Sequence, residues 1–158
     1  MSRMVENPTC PHTNAIRSLL LNASEIRQVE VLPSQGQCMD KRAIELLEAA
    51  KYGPYSAGVQ SGDMFWFSGQ IAVDFEGVKA QTQGALDKID TLLNNAGLTR
   101  ENICFAQILL DDINDFAAMN EVYGAWVSEL SVKPARAAFA AAALPAGALV
   151  EIVVQGTR

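Results

Sequence analysis

The sequence predicts an α+β fold: one largely antiparallel or mixed sheet, with two helices packed on one of its faces. Three observations lead there. Apolar residues recur at helical spacing between Lys79 and Ala96 and stop at Gly97. The turn Ser61-Gly62-Asp63 is followed by an aromatic run, Met64-Phe65-Trp66-Phe67, that reads as half of a strand hairpin. The order of elements, strand, strand pair, helix, strand, helix, strand pair, lacks the steady βα alternation of a parallel-sheet protein.

Length and charge bound what such a fold can do. The 158 residues suit one domain, read here as residues 27–158, preceded by a poorly ordered extension over residues 1–26. Apolar residues make up 49% of the chain and charged residues 19%, a hydrophobic surplus that suggests a subunit interface. The net charge of −6 and the lack of any Lys/Arg cluster argue against a nucleic-acid partner. No apolar run is long enough to span a membrane. Three cysteines without framework spacing, Cys10, Cys38 and Cys104, indicate a reducing compartment, with Cys104 a small buried residue. A cytoplasmic location is expected, and Arg3, Arg17 and Arg27 leave a mitochondrial one open. The single histidine, His12, stands beside Cys10 without the second half of a metal site, and it makes a Ser-His-Asp or Cys-His mechanism improbable.

The elements follow in order. A short helix around Asn14 to Asn22 is the only structure expected in the extension. Arg27 to Leu32 alternates and stops at Pro33, a first strand. Asp40 to Ala50 carries Ile44, Leu46, Leu47 and Ala50 at near-helical spacing, a short helix with Asp40 as its cap. Gly53-Pro54-Tyr55-Ser56 is a turn, and the hairpin of Ala57 to Gln60 and Met64 to Ile71 follows, with Gly69 read as a bulge, a close backbone approach or a plain strand glycine. Next comes the helix closed by Gly97, then a buried strand from Glu101 to Leu110. Acids at Asp111, Asp112 and Asp115 introduce a second helix running to about Leu130, with Phe116, Asn120, Tyr123 and Val127 on one face. Asn120 among these side chains is either bonded to backbone or turned toward a pocket. Trp126 reads as core. Ala135 to Leu144 and Leu149 to Gln155 complete a closing hairpin around Pro145-Ala146-Gly147, against the helical preference of the alanine run.

Two charges in these last strands stand out. Arg136 is the only charge between Pro134 and Leu149. A guanidinium there needs a partner, either a ligand carboxylate held bidentately or a surface acid beside a strand edge. Glu151 lies in Leu149-Val150-Glu151-Ile152-Val153-Val154, where an unpaired carboxylate is costly, so a functional or interfacial role is favoured. In the expected hairpin the two lie roughly 20 Å apart, at about 3.4 Å per residue. They would then meet only across a subunit boundary.

The order of Gly53-Pro54-Tyr55-Ser56, Ser68-Gly69-Gln70-Ile71, Ala96-Gly97-Leu98, Asn114-Asp115-Phe116 with Asn120 and Tyr123, Pro134-Ala135-Arg136, Leu144-Pro145 and Glu151 resembles the RidA/YjgF family of enamine and imine deaminases, over about residues 49–158. The resemblance implies a chorismate-mutase-like fold and a homotrimer with clefts between subunits. It implies that Arg136 clamps a substrate carboxylate, that Ser68 and Gly69 line the cleft, and that Tyr55, Asn120 and Glu151 occupy its other pocket positions. The implied reaction is hydrolysis of 2-enamine or 2-imine acids, such as 2-aminoacrylate, to a 2-keto acid and ammonia, with no metal or cofactor. Glu151 would orient the attacking water as general base. The chain departs from the family pattern at Ala138, where many members have cysteine or another polar residue, in a shortened Val73–Gln81 connection, and in an apparent insertion at about 33–50. A trimeric metabolite-binding module without turnover is the competing expectation; a ribonuclease or translation inhibitor is disfavoured by the charge and the lack of a histidine base.

Overall fold

The computed structural model describes residues 40–46 and 53–158. By its contacts the chain divides into residues 1–39 and 40–158, and the fold described is that of the second unit. The expected strand Arg27 to Leu32, the helix at 14–22, the Cys10/His12 pair and most of the segment 33–50 lie outside the described residues.

The elements are strands β1 (Lys41–Ile44), β2 (Gly58–Ser61) and β3 (Met64–Gln70), helix α1 (Gly77–Ala96), β4 (Ile103–Leu110), helix α2 (Phe116–Trp126), β5 (Ala135–Ala140) and β6 (Val150–Thr157). They form one six-stranded mixed sheet in the order β1-β2-β3-β6-β4-β5, a mixed α+β domain with two helices. Only the β4–β5 contact is parallel.

Burial explains the arrangement. Phe65 and Phe67 of β3, Ala106, Ile108 and Leu110 of β4, and Val150, Ile152 and Val154 of β6 are buried at period two in one core cluster. The same cluster takes Leu86, Ile89, Leu92 and Leu93 from α1 and Met119, Tyr123 and Trp126 from α2, so both helices cover one face of the sheet. Gly97 closes α1 in the left-handed conformation, φ 70°, while the Leu98 N–H donates to the Leu93 carbonyl at 2.8 Å. Trp126 is core, as its apolar surroundings suggested.

Four expectations are corrected. The segment after Asp40 is extended: Lys41–Ile44 pairs antiparallel with β2, and only Ile44 of it is buried. Edge pairing overrides the apolar spacing that suggested a helix. Helix α2 stops at Trp126, short of Leu130. Cys104 is exposed rather than buried, because the β4–β6 register shifts between Ile103 and Phe105. The closing hairpin does not exist. β5 pairs with β4, in parallel, because α2 supplies the crossover between them, and β6 inserts between β3 and β4.

That last correction decides where the two charges point. Arg136 registers with Ala106, a core residue beneath the helices, so its side chain emerges on the helix-covered face at the sheet edge. Glu151 registers with Leu109 and alternates with the buried Val150 and Ile152, so it emerges on the opposite, helix-free face.

Candidate functional site

The helix-free face carries a half-open cleft of about 340 Å³. Four residues singled out from the sequence line it, Tyr55, Ser68, Gly69 and Glu151, together with Gly53, Ile71 and Pro145. The floor is the end of β3. Its register with β6 slips between Phe67 and Gln70, which makes Ser68-Gly69 an irregular step in the ladder. Three hydrogen bonds hold that step: the Ser68 N–H donates to the Ala57 carbonyl at 2.9 Å, Ser68 Oγ to the Ser56 carbonyl at 2.8 Å, and Gln70 Nε2 to the Ser68 carbonyl at 2.7 Å. With its hydroxyl and carbonyl both engaged in the frame, Ser68 shapes the cleft wall.

Gly69 is glycine because Glu151 lies across it. A Cβ at this position would overlap the Glu151 carboxylate, Oε1 first and then Cδ. The carboxylate is thereby pressed onto the bulge, and burial pushes its pKa above the ordinary glutamate value of 4.5. A carboxyl group shifted in this direction exchanges protons more readily near neutral pH.

The opposite wall is the turn Pro145–Gly147, in which Ala146 adopts φ 55°. A left-handed alanine is strained and has to be held. The Ala148 N–H closes the turn onto the Pro145 carbonyl at 3.1 Å, and just beyond it the buried Gln81 of α1 accepts from the Leu149 N–H at 2.8 Å and donates to the Phe75 carbonyl at 3.1 Å.

Arg136 and Asn120 belong to a second cluster. Arg136 Nη1 donates to Asn120 Oδ1 at 2.6 Å, and the guanidinium carbon sits 5.0 Å from the centre of the Tyr123 ring and 5.6 Å from that of Phe116. Among the described residues no carboxylate reaches the guanidinium, so the surface-acid pairing weighed for it is not what the fold provides. The Asn120 side-chain oxygen faces Arg136 rather than backbone. The Tyr123 hydroxyl is buried without a hydrogen-bond partner, and its pKa is pushed up by burial, against the lowering effect of Arg136.

The structure therefore brings Tyr55, Ser68, Gly69 and Glu151 together, brings Arg136 and Asn120 together, and puts the two groups on opposite faces of one sheet. Sequence reasoning missed Ile71 and Pro145 as cleft walls, and missed the rings around Arg136. The signal for the rings was present in the spacing of Phe116, Asn120 and Tyr123, at i, i+4 and i+7 on one helix face. Among the described residues no three His, Cys, Asp or Glu side chains gather into a metal-holding group, and no helix is long and apolar enough to cross a membrane.

The sequence profile of the family described as Endoribonuclease L-PSP matches residues 46–157. The chain belongs to this family, RidA/YjgF. The 2-iminobutanoate/2-iminopropanoate deaminase of Capra hircus is 40% identical over 127 residues, covering 73% of this chain and 91% of that protein. The crystal structure of the E. coli YjgF gene product superposes with a TM-score of 0.69 at 34% identity, covering 74% of this chain and 98% of that one. The crystal structure of E. coli TdcF with bound serine superposes equally well, TM-score 0.69 at 32% identity, again covering 74% and 98%. The mixed sheet with two helices is thus the RidA/YjgF fold.

Proposed function

We propose that this protein hydrolyses reactive 2-imino or 2-enamino acids to 2-keto acids and ammonia, in clefts assembled between the subunits of a homotrimer. The observation that carries the reading is the opposed placement of Arg136 and Glu151. Each is set in a prepared surround, a ring-and-amide cradle for one and a glycine bulge for the other, and a single copy cannot aim both at one substrate. A ring of copies, each presenting the Arg136 edge to its neighbour's Glu151 cleft, makes three equivalent composite sites. The name of the Capra hircus relative and the serine bound to TdcF, a small amino acid, agree with a carboxylate-bearing substrate.

In this reading Arg136 holds the substrate carboxylate through charge-assisted hydrogen bonds and fixes the adjacent imine carbon over the neighbour's cleft. Glu151 orients a water and takes its proton as the oxygen attacks that carbon. The same carboxyl then returns a proton to nitrogen, the carbinolamine collapses, and ammonia leaves. Asn120 holds Arg136, while Tyr55, Ile71 and Pro145 exclude bulk water. Apolar walls around a raised carboxyl favour base catalysis near neutrality. No step calls for a metal or cofactor.

The test is complementation. Arg136→Ala and Glu151→Gln homo-oligomers should each be inactive toward an imine generated in situ, after subtraction of spontaneous hydrolysis. Unfolded together in equal amounts and refolded, they should regain about one quarter of wild-type activity, because random mixing pairs an intact Arg136 with a neighbour's intact Glu151 at that frequency. Absence of recovery, with both variants folded, rules out the composite site. If the wild type accelerates no imine yet binds 2-keto acids, the protein is a metabolite-binding module on the same fold.

A further inference from the structure

We infer that one face of α2 is a positioning device that presets Arg136 before any ligand arrives, with the ring of Tyr123 as the principal support. This rests on the carboxylate-clamp reading of Arg136 and deepens it by assigning roles to Tyr123 and Phe116 and a redefined one to Asn120.

An exposed arginine samples many rotamers, and freezing them on ligand binding costs conformational entropy. Here α2 restricts much of that freedom. Phe116, Asn120 and Tyr123 stand one above another on α2, and all three face the guanidinium. The Tyr123 ring contacts it at 5.0 Å, within cation–π range, and Phe116 adds a second ring at 5.6 Å. Asn120 Oδ1 accepts from Nη1 and so fixes rotation of the plane. One corner of the fork is thereby occupied, and among the described residues Nε and Nη2 have no hydrogen-bond acceptor. These two donors form the edge that grips a carboxylate bidentately.

The chemistry of the supports matters as much as their positions. A carboxylate in place of Asn120 would satisfy the guanidinium and compete with the substrate; an amide oxygen fixes its direction and leaves its charge available. Tyr123 acts through its ring, because burial keeps its hydroxyl protonated and neutral. The support is itself rigid: Tyr123 is 6% exposed and packs against Trp126 with ring centres 5.9 Å apart. Phe116, at 37%, is the open side of the cradle.

The experiment measures Arg136 directly. In the ligand-free wild type, the side-chain Nε–H of Arg136 should show a {1H}-15N NOE typical of an ordered group, retained in Tyr123→Phe and lost in Tyr123→Leu. Calorimetric titration with 2-ketobutanoate should then give a Kd within about twofold of wild type for Tyr123→Phe, and about 5- to 30-fold weaker for Tyr123→Leu. Imine turnover in Tyr123→Leu should show the loss in KM, with kcat within about threefold. Phe116→Leu, at the partly exposed position, should shift the same readouts by a smaller factor, and it keeps the test available should Tyr123→Leu not fold. An Arg136 as mobile in the wild type as in Tyr123→Leu overturns the inference, as does a Tyr123→Phe protein that loses as much affinity as Tyr123→Leu. An ordered Arg136 in a protein that neither binds 2-ketobutanoate nor turns over an imine defeats the deaminase reading, and leaves the hold of α2 on the guanidinium standing.

Discussion

Glu151 shows most directly how placement becomes chemistry. Its carboxylate is confined between its own strand and the Gly69 bulge, and the confinement raises its pKa. A raised carboxyl pKa costs the folded state stability once pH exceeds the unfolded value, because the native protein then holds a proton less willingly released than in the open chain. The contribution is neutral below about pH 4.5 and unfavourable above it. Glu151→Gln, nearly isosteric and uncharged, should therefore melt higher than wild type at pH 7–8, with the gain fading as pH falls toward 4.5 and absent below it, while imine hydrolysis drops by about 10²- to 10⁴-fold. Thermal melts across pH beside turnover would show the trade; a variant less stable at neutral pH would mean that the carboxylate is a structural partner. Glu151 and Arg136 stood out in the sequence because each is a lone charge in an apolar run. Their separation was not legible there, since a face of a sheet is set by pairing partners far away in the chain.

At the scale of elements, the sequence revealed local structure and failed at edges. The β2–β3 hairpin and α1 were readable because their signals are complete within about 20 residues: a short turn in one, helical spacing and a left-handed glycine in the other. β1 misled because four residues at a sheet edge, three of them exposed, carry almost no strand pattern. The closing pair misled for a different reason. Five residues separate β4 from α2 and β5 follows α2, so strand-helix-strand is the stronger reading and demands a parallel pair; the alanines of β5 hid this by lacking strand character. The placement of α2 is fixed at its far end by a second arginine. Arg100 grips Asp90 of α1 through Nε and Nη2 at 2.8 and 2.6 Å, donates through Nη1 to the Trp126 carbonyl at 2.9 Å, and lies over the Trp126 ring, whose Nε1 also donates to Asp90. Asp90→Ala removes the acceptor for both donors at once. It should cost about 1–3 kcal/mol, a fall in Tm of roughly 2–12 °C. If α2 shifts as well, Arg136 loses its cradle, and KM for imine should rise although Asp90 is remote from either cluster; a destabilised protein with unaltered KM would mean that α2 is held elsewhere.

For the whole molecule, the helix-free face is the feature that most needs a partner. Trp66 and Met64 project from β3 and Phe139 from β5 with 41%, 42% and 46% of their surface exposed, and the Glu151 cleft opens on the same side. Apolar exposure of this kind marks an interface more often than a free surface. In the proposed trimer the face would be covered and the sites completed by one association. Trp66→Glu should leave the helical core untouched and reduce the sedimenting mass from three times 17.0 kDa toward one, with activity falling in step. A variant that stays trimeric would put the interface on other residues. An active monomer would overturn the composite site itself.

The late arrival of β6 has a consequence during synthesis. It follows β3 and β4 in sequence, yet lies between them in the sheet. While residues beyond about 145 are still inside the ribosome, β3 and β4 are two open edges separated by an unfilled gap, and the core lacks Val150, Ile152 and Val154. Such edges invite pairing with any other nascent chain. The sheet joins into one only when β6 fills the gap between β3 and β4, and until then those two edges are open to pairing with other chains.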